Sequence, residues 1–369
     1  MTSYIFQVQN VKKALSIIRT VKPEDDDFRI KFSENSMIVS SADKRRKSTS
    51  IVASVDSSTS VGYMSDEFSI PFEKKILFEP ESDMMSISIN DESISISGKS
   101  DVNKKRASIK KRVNNKLSLF KIPDIPDNIE PIKSNALIDI INHVSPSAKI
   151  DETKSEEDMR LNQVHFFKNH VVASARFYAS VVELENFPSE TSIVSSDIPL
   201  IKSFCSKIGT KNNIFIHDDG SRIHFSSNNS FLTLSKVQCL NRPTPSVFGV
   251  DEFKIRIRIK SKLLSESLNW VDAAIEGTQR ITLLADCKSN TCKFMQGTND
   301  LASIDVNFLL GDGLKIDLPA RVLNTVIENL ESEYVDLLTC HPKSANLFQI
   351  YYESGPLKIT HMMQKMKER

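Results

Sequence analysis

The sequence predicts an α+β protein of three tandem domains, each with two helices packed on one face of antiparallel sheet. A helix start marked by proline recurs three times, at Ser69-Ile70-Pro71, Asp197-Ile198-Pro199 and Asp317-Leu318-Pro319, and these prolines divide the 369 residues into near-equal thirds. A second amphipathic stretch precedes each start. Most of what remains alternates apolar and polar residues with a period of two, the signature of half-buried strands.

The amphipathic helices are expected over 10–21, 134–144 and 261–275. Val11, Leu15 and Ile18 share a face in the first, Leu137, Ile141 and Val144 in the second, and Leu264, Leu268 and Val271 in the third. After each Ser or Asp able to cap free N–H groups comes a proline, whose missing N–H costs nothing in a first helical turn. Ile201, Phe204, Cys205 and Ile208 then follow in the second third, and Val322, Leu323, Val326 and Leu330 in the last, with Gly209 as a stop. Strand pairs read as FRIKF/MIVSS, MMSISIN/SISIS, NIFIH/RIHFSS and VDLLT/LFQIYY, and KIRIRIK points Ile255, Ile257 and Ile259 one way. Pro123, Pro126 and Pro131, and later Pro243 and Pro245, resist helix and central strand, which sets domain boundaries at 1–124, 125–250 and 251–369.

Composition narrows the function. With 48 basic against 47 acidic residues there is no global basic excess, so a nucleic-acid role would rest on local patches. The opening MTSYIFQVQNVKKAL lacks the apolar core of a signal peptide, and no later stretch approaches a membrane span, so a cytosolic protein without a membrane partner is expected. Cys205, Cys239, Cys287, Cys292 and Cys340 are odd in number and scattered, and the Cys287/Cys292 pair lacks companions at zinc spacing. No glycine-rich phosphate loop occurs, and no cofactor or metal is expected.

Three tandem copies of this unit, the segment LNQVHFFKNHVVASARFYASVV over 161–182 and the terminal KITHMMQ over 358–364 together resemble the bacterial DNA polymerase III beta sliding clamp family, over essentially the whole chain. Departures are plain. The family's T-D-G-H-R-L run is here Ser174-Ala175-Arg176-Phe177-Tyr178-Ala179, its M-P-M is Met362-Met363-Gln364 followed by KMKER, and the basic stretch 99–115 is longer than the family's hairpin. Such divergence suits a virus-encoded or specialised clamp.

The resemblance implies a DNA clamp fold and a non-enzymatic processivity factor. Two chains would join head to tail into a ring around duplex DNA, bound without regard to sequence, in the cytoplasm of a bacterial or virus-infected cell. DNA polymerase and a clamp loader are the implied partners. Basic residues on the inner helices would be Lys12, Arg19, Lys22, Lys74, Lys75, Lys202, Lys207, Lys260 and Lys262, with Lys154 and Arg160 nearby. A groove for partner peptides would be formed by Leu161, Ser174, Arg176, Phe177, Tyr178, Ala179, Pro243, Phe248, Met362 and Met363. The methionine pair is expected to be exposed, as an adaptable apolar patch for different ligands. The dimer contact would place Leu117, Leu119 and Phe120 of one edge strand against a strand over 302–308 with Ala302, Ile304 and Val306, near Ile275. The basic stretches 43–47 and 104–112 read as a solvated turn and an inserted loop.

Two other readings stay open. A clamp-fold scaffold could recruit transcription, recombination or repair proteins instead of a polymerase. More remotely, Ser41-Ala42-Asp43-Lys44 fits the S-x-x-K pattern of Ser/Lys hydrolases, although it lies at a strand end instead of opening a helix.

Overall fold

In the computed structural model the described residues are 2–21, 27–42, 49–61, 67–71, 78, 80–90, 93–99, 106–110, 122–148, 162–174, 178–236, 253–275, 280–319, 323, 330, 332–339 and 347–364. They form, in chain order, β1 (Thr2–Gln7), α1 (Val8–Ile18), β2 (Asp27–Phe32), β3 (Ser36–Ala42), β4 (Ser50–Asp56), β5 (Thr59–Val61), β6 (Glu67–Pro71), β7 (Met84–Ile89), β8 (Ser93–Lys99), β9 (Arg106–Lys110), β10 (Ile132–Lys133) and α2 (Ser134–Val144). Next come β11 (Gln163–Phe166), β12 (His170–Ser174), β13 (Tyr178–Glu183), β14 (Thr191–Val194), α3 (Ile198–Ile208), β15 (Asn213–Asp218), β16 (Arg222–Ser227) and β17 (Ser230–Ser235). The last are β18 (Ile255–Lys260), α4 (Ser261–Ala274), β19 (Arg280–Asp286), β20 (Thr291–Gln296), β21 (Asn299–Asp305), β22 (Asn307–Leu310), β23 (Gly313–Pro319), β24 (Tyr334–Thr339), β25 (Leu347–Ser354) and β26 (Leu357–Gln364).

Two compact units divide these elements. The first takes residues 1–138 and 197–236 and holds a five-stranded sheet, β5-β1-β7-β8-β9, and an eight-stranded sheet, β10-β15-β16-β17-β4-β3-β2-β6. Its core stacks Tyr4 on Phe32, with ring centroids 4.9 Å apart, over α1 residues Val11, Leu15 and Ile18. The second takes 139–196 and 237–369, with a nine-stranded sheet, β14-β11-β12-β13-β26-β25-β24-β18-β22, and a four-stranded sheet, β21-β20-β19-β23. Here Ile255, Ile257 and Ile259 are buried and Arg256 and Arg258 are not, as the alternation requires.

Two runs of strands build all four sheets. One run is β6-β2-β3-β4, repeated as β14-β11-β12-β13 and as β23-β19-β20-β21. The other is β9-β8-β7-β1-β5, repeated in full as β26-β25-β24-β18-β22 and, without its last strand, as β17-β16-β15-β10. In each large sheet the runs meet at one antiparallel seam, β4 on β17 or β13 on β26. The small sheets are single runs, so β21 and β9 hold the seam positions and have one strand neighbour each among the described residues.

Several details depart from expectation. The first helix starts earlier and stops at Ile18, because Val8 already packs inside and Arg19 leaves helical geometry; the third ends at Ala274 instead of Ile275. Asp197 makes no side-chain capping bond to α3, since it closes a 3-10 turn over Ser195–Asp197 in right-handed helical backbone. Ser69 and Asp317 lie in strands β6 and β23, and the helices expected after them fall outside the described residues, save Phe78, buried in a 3-10 position, Leu323, helical and buried, and Leu330, half-buried and not helical. The inserted loop at 104–112 contains an edge strand: β9 pairs Ala107 with Ile96 and Ile109 with Ile94, using the alternation of RASIK. The single strand expected over 302–308 is broken at Val306 into β21 and β22, which belong to different sheets. Residues 122–131 run without helix or strand, as their prolines predict, and Gly209 ends α3 at φ 109°, with Asn212 Nδ2 donating to the Ile208 carbonyl.

Gly311, just after β22, combines φ 81° with a backbone so close that a Cβ would stand 2.7 Å from the Lys254 carbonyl oxygen. Gly311→Ala is therefore expected to cost about 1–3 kcal/mol, read as a lower urea midpoint with unchanged slope.

Candidate nucleic-acid interface and partner groove

In the first unit α1 follows β1 without a turn, so the strand fixes the helix, which packs on β3 and β4 and against α3. The chemistry-bearing side chains emerge from the faces left over. Lys12 is exposed on α1 and Arg19 just beyond its end. Lys202 and Lys207 of α3 are half-buried; burial lowers the pKa of both, and nearby Arg19 lowers that of Lys207 further. Lys207 Nζ reaches Thr20 Oγ1 at 3.4 Å, so Arg19 and Lys207 form one basic corner. Beside them a cavity of about 180 Å³ opens between Asn10, Lys13, Ala14 and Ile17 of α1, Ile208 of α3, the end of β4 and the 227–230 turn. In the second unit Lys260 and Lys262 are exposed at the start of α4, where Lys262 lies 3.9 Å from Glu266; so exposed a pair adds little stability. Lys22, Lys74, Lys75, Lys154 and Arg160 lie outside the described residues.

The groove residues that are described gather on three neighbouring strands of the second unit. Ser174 of β12 pairs with Ala179 of β13, Ala179 with Met362 of β26, and Tyr178 with Met363. Leu161, Arg176, Phe177, Pro243 and Phe248 lie outside the described residues. The exposure expected of the methionine pair is not found: Met362 is 3% and Met363 1% exposed. KITHMMQ is an interior strand hydrogen-bonded on both sides, and Met362 packs with Val172 and Val181 beside Phe167. The alternation Ile359, His361, Met363 against Thr360 and Met362 was the signal for a strand buried on both faces.

Beneath this wall lies a buried polar chain that sequence reasoning missed. Tyr352 of β25 sits with its hydroxyl 3.0 Å from His143 Nδ1 and 3.1 Å from His361 Nε2; His361 Nδ1 is 2.7 Å from Ser180 Oγ, which in turn meets Ser147. Tyr178 donates its hydroxyl to the Pro146 carbonyl in the adjoining 3-10 turn, Ser145–Ala148. Burial pushes the His361 imidazole down to about 3, with His143 adding to the shift, so the ring is neutral at pH 7. Histidines at positions that the pattern reserves for apolar side chains were the only trace of it in the sequence.

At the expected subunit contact, Ile304 and Val306 are already buried in their own unit and Ile275 is 9% exposed. What stays open there is the backbone edge of β21, with Ala302 half-buried along it. Leu117, Leu119 and Phe120 lie outside the described residues, as do 43–47. Ser41 of the S-x-x-K pattern is 2% exposed inside β3, and Lys44 is outside the described residues. Among the described residues no three His, Cys, Asp or Glu side chains are placed to hold a metal, and no helix is long and apolar enough to cross a membrane.

No protein-family model matches the sequence, and no curated relative matches it. Solved structures do. The DNA polymerase III beta subunit of Thermotoga maritima superposes with a TM-score of 0.74 at 16% identity over 100% of both chains. The DNA polymerase sliding clamp of Pseudomonas aeruginosa gives 0.78 at 12%, and a putative beta subunit from Eubacterium rectale 0.77 at 12%, again over 100% of both chains. Superposition over the full length of both chains at such low identity gives this chain the fold of the DNA polymerase III beta subunits, the DNA clamp fold.

Proposed function

We propose that this protein is a DNA polymerase processivity factor: a sliding clamp that closes head to tail with a second copy around duplex DNA. One observation carries the reading. The chain fills the same seam twice, β4 on β17 and β13 on β26, and leaves the two halves of a third seam open, at β9 and at β21. An unpaired sheet edge is an aggregation liability. A second copy can satisfy both edges, β9 of each chain on β21 of the other, and a heterologous contact that closes makes a ring instead of a filament. Sequence charges favour this pairing, since Arg106 and Lys110 lie on β9 and Asp305 on β21, where Asp300 is already paired with Lys293 of β20 at 2.6 Å.

On this reading the domains are 1–124, 125–250 and 251–369, each opening with the strand-to-helix passage seen at β1–α1, β10–α2 and β18–α4. The helices line the hole, where Lys12, Arg19, Lys260 and Lys262 meet phosphates through exchangeable contacts that let the ring slide; Lys202 and Lys207, already partly desolvated, contribute less. A closed ring needs no catalytic group, because a tethered polymerase cannot diffuse away. Polymerase and clamp loader dock at the β13/β26 wall in the second unit, with Tyr178 at its half-buried edge and Arg176 and Phe177 beside it in sequence. Such work belongs in the bacterial cytoplasm.

The test is topological. Purified protein is expected to sediment at twice its 41.6 kDa chain mass, and, once loaded, to stay on nicked plasmid circles through gel filtration and leave when the circle is cut. A monomer at micromolar concentration, or equal loss from circles and linear DNA, would remove the ring. For the groove, Phe177→Ala is expected to keep retention and abolish stimulation of synthesis; removing Met362 onward is a poorer probe, because it cuts into β26.

A further inference from the structure

The single tryptophan is 68% exposed on α4, and the repeat says what belongs over it. Helices α1 and α4 each follow their strand directly and bury the same first, fourth, eighth and eleventh residues: Val8, Val11, Leu15 and Ile18 in one, Ser261, Leu264, Leu268 and Val271 in the other. Helix α1 also buries its seventh and tenth residues, Ala14 and Ile17, and α2 likewise buries Ile140 and His143. In α4 those places fall to Ser267 and Trp270, and neither is buried.

The cover over Ala14 and Ile17 has a visible source. Helix α1 packs on β4, one side of a filled seam, and α3, which precedes the strands on the other side, packs against α1 with Ile208 facing the same space as Ile17. Helix α4 packs on β21, the corresponding side of the open seam, with no second helix against it among the described residues. The α1 stripe bordering the 180 Å³ cavity is Asn10, Lys13, Ala14 and Ile17; the matching α4 residues are Leu263, Glu266, Ser267 and Trp270. At the open seam, two larger apolar side chains therefore stand where the closed seam keeps an amide, an isoleucine and a void.

We infer that Trp270, with Leu263 beside it, is the anchor of the contact between copies, inserted under a helix of the second chain as Ile17 lies under α3. This rests on the ring reading and adds to it the residue that holds the joint. The occupant is a second copy because the chain itself shows how the seam is covered, and because Arg106 and Lys110 of the β9 edge complement Asp305 of β21 beside α4. Interface hot spots are enriched in central, desolvated tryptophan, tyrosine and arginine.

With one tryptophan in the chain, its fluorescence reports this position alone. Followed from nanomolar to tens of micromolar alongside sedimentation, emission is expected to shift to the blue and acrylamide quenching to fall in step with dimer formation. Trp270→Ala is expected to weaken dimerisation roughly 30-fold or more with unchanged circular dichroism, and Trp270→Phe to recover part of the loss. A dimer in which Trp270 stays quenchable, or a shift that appears only when duplex DNA joins a preformed dimer, overturns the inference while leaving the ring intact. A chain monomeric at every concentration overturns the ring and the inference together.

Discussion

Proline at one of two adjacent positions on β21 is expected to yield a folded monomer. Backbone groups of an antiparallel strand point alternately to its two neighbours, so of Ala302 and Ser303 one N–H faces β20 and the other faces the open edge. Ala302→Pro and Ser303→Pro, made separately, should therefore behave differently. The variant that removes a β20 bond loses thermal stability. The other unfolds near the wild-type temperature but presents an edge lacking a donor and carrying a ring in the partner's path, a penalty of about 1–3 kcal/mol, or roughly 10- to 100-fold in dimer affinity. Sedimentation and thermal unfolding on the same samples decide the matter. Wild-type dimerisation in both variants would show that β21 is not the joining strand.

The second large effect concerns acid. His361 is neutral in the fold, with a pKa of about 3, whereas a free imidazole titrates near 6.5. Between these values the unfolded chain holds a proton that the folded chain does not, so stability is full above about pH 6.5 and falls as pH drops toward 3. At pH 4 the loss is on the order of 3 kcal/mol. His361→Gln keeps hydrogen-bonding capacity and removes the titration, and the difference in urea midpoint between pH 7 and pH 4 is expected to shrink accordingly. Equal pH dependence in variant and wild type would mean that His361 does not set it. Since Ser180, Tyr352 and His143 join this ring to β13, β25 and α2, the same experiment measures what holds the β13/β26 wall together.

Much of the architecture was legible because it rests on local rules. Period-two alternation located β2, β3, β15, β16 and β18 within a residue or two, since each strand alternates apolar with polar residues along its length. The helix over Ser134–Val144 has the expected bounds, fixed by its apolar stripe. Failures cluster where a side chain's fate depends on distant strands. Asp197 has the chemistry of a cap but takes helical backbone in a preceding 3-10 turn. RASIK, in a stretch dense with lysine and arginine, reads as a loop until β8 offers Ile94 and Ile96 as neighbours. Met362 and Met363 read as an exposed apolar patch until β13, far upstream in the chain, pairs with their strand and covers them.

The sequence by itself determined the threefold repeat, most strands and the helix faces, because periodicity and turn chemistry act over a few residues and survive divergence to 12% identity with proteins of the same fold. Only the tertiary structure decided which strands meet at the seams, that the terminal methionines are interior, that two histidines share a tyrosine, and that Trp270 is left bare. Seam pairing joins segments far apart in the chain, and the local pattern of a strand does not name its neighbour: β4 and β21 occupy the same place in the same run, yet among the described residues one is covered within the chain and the other is not.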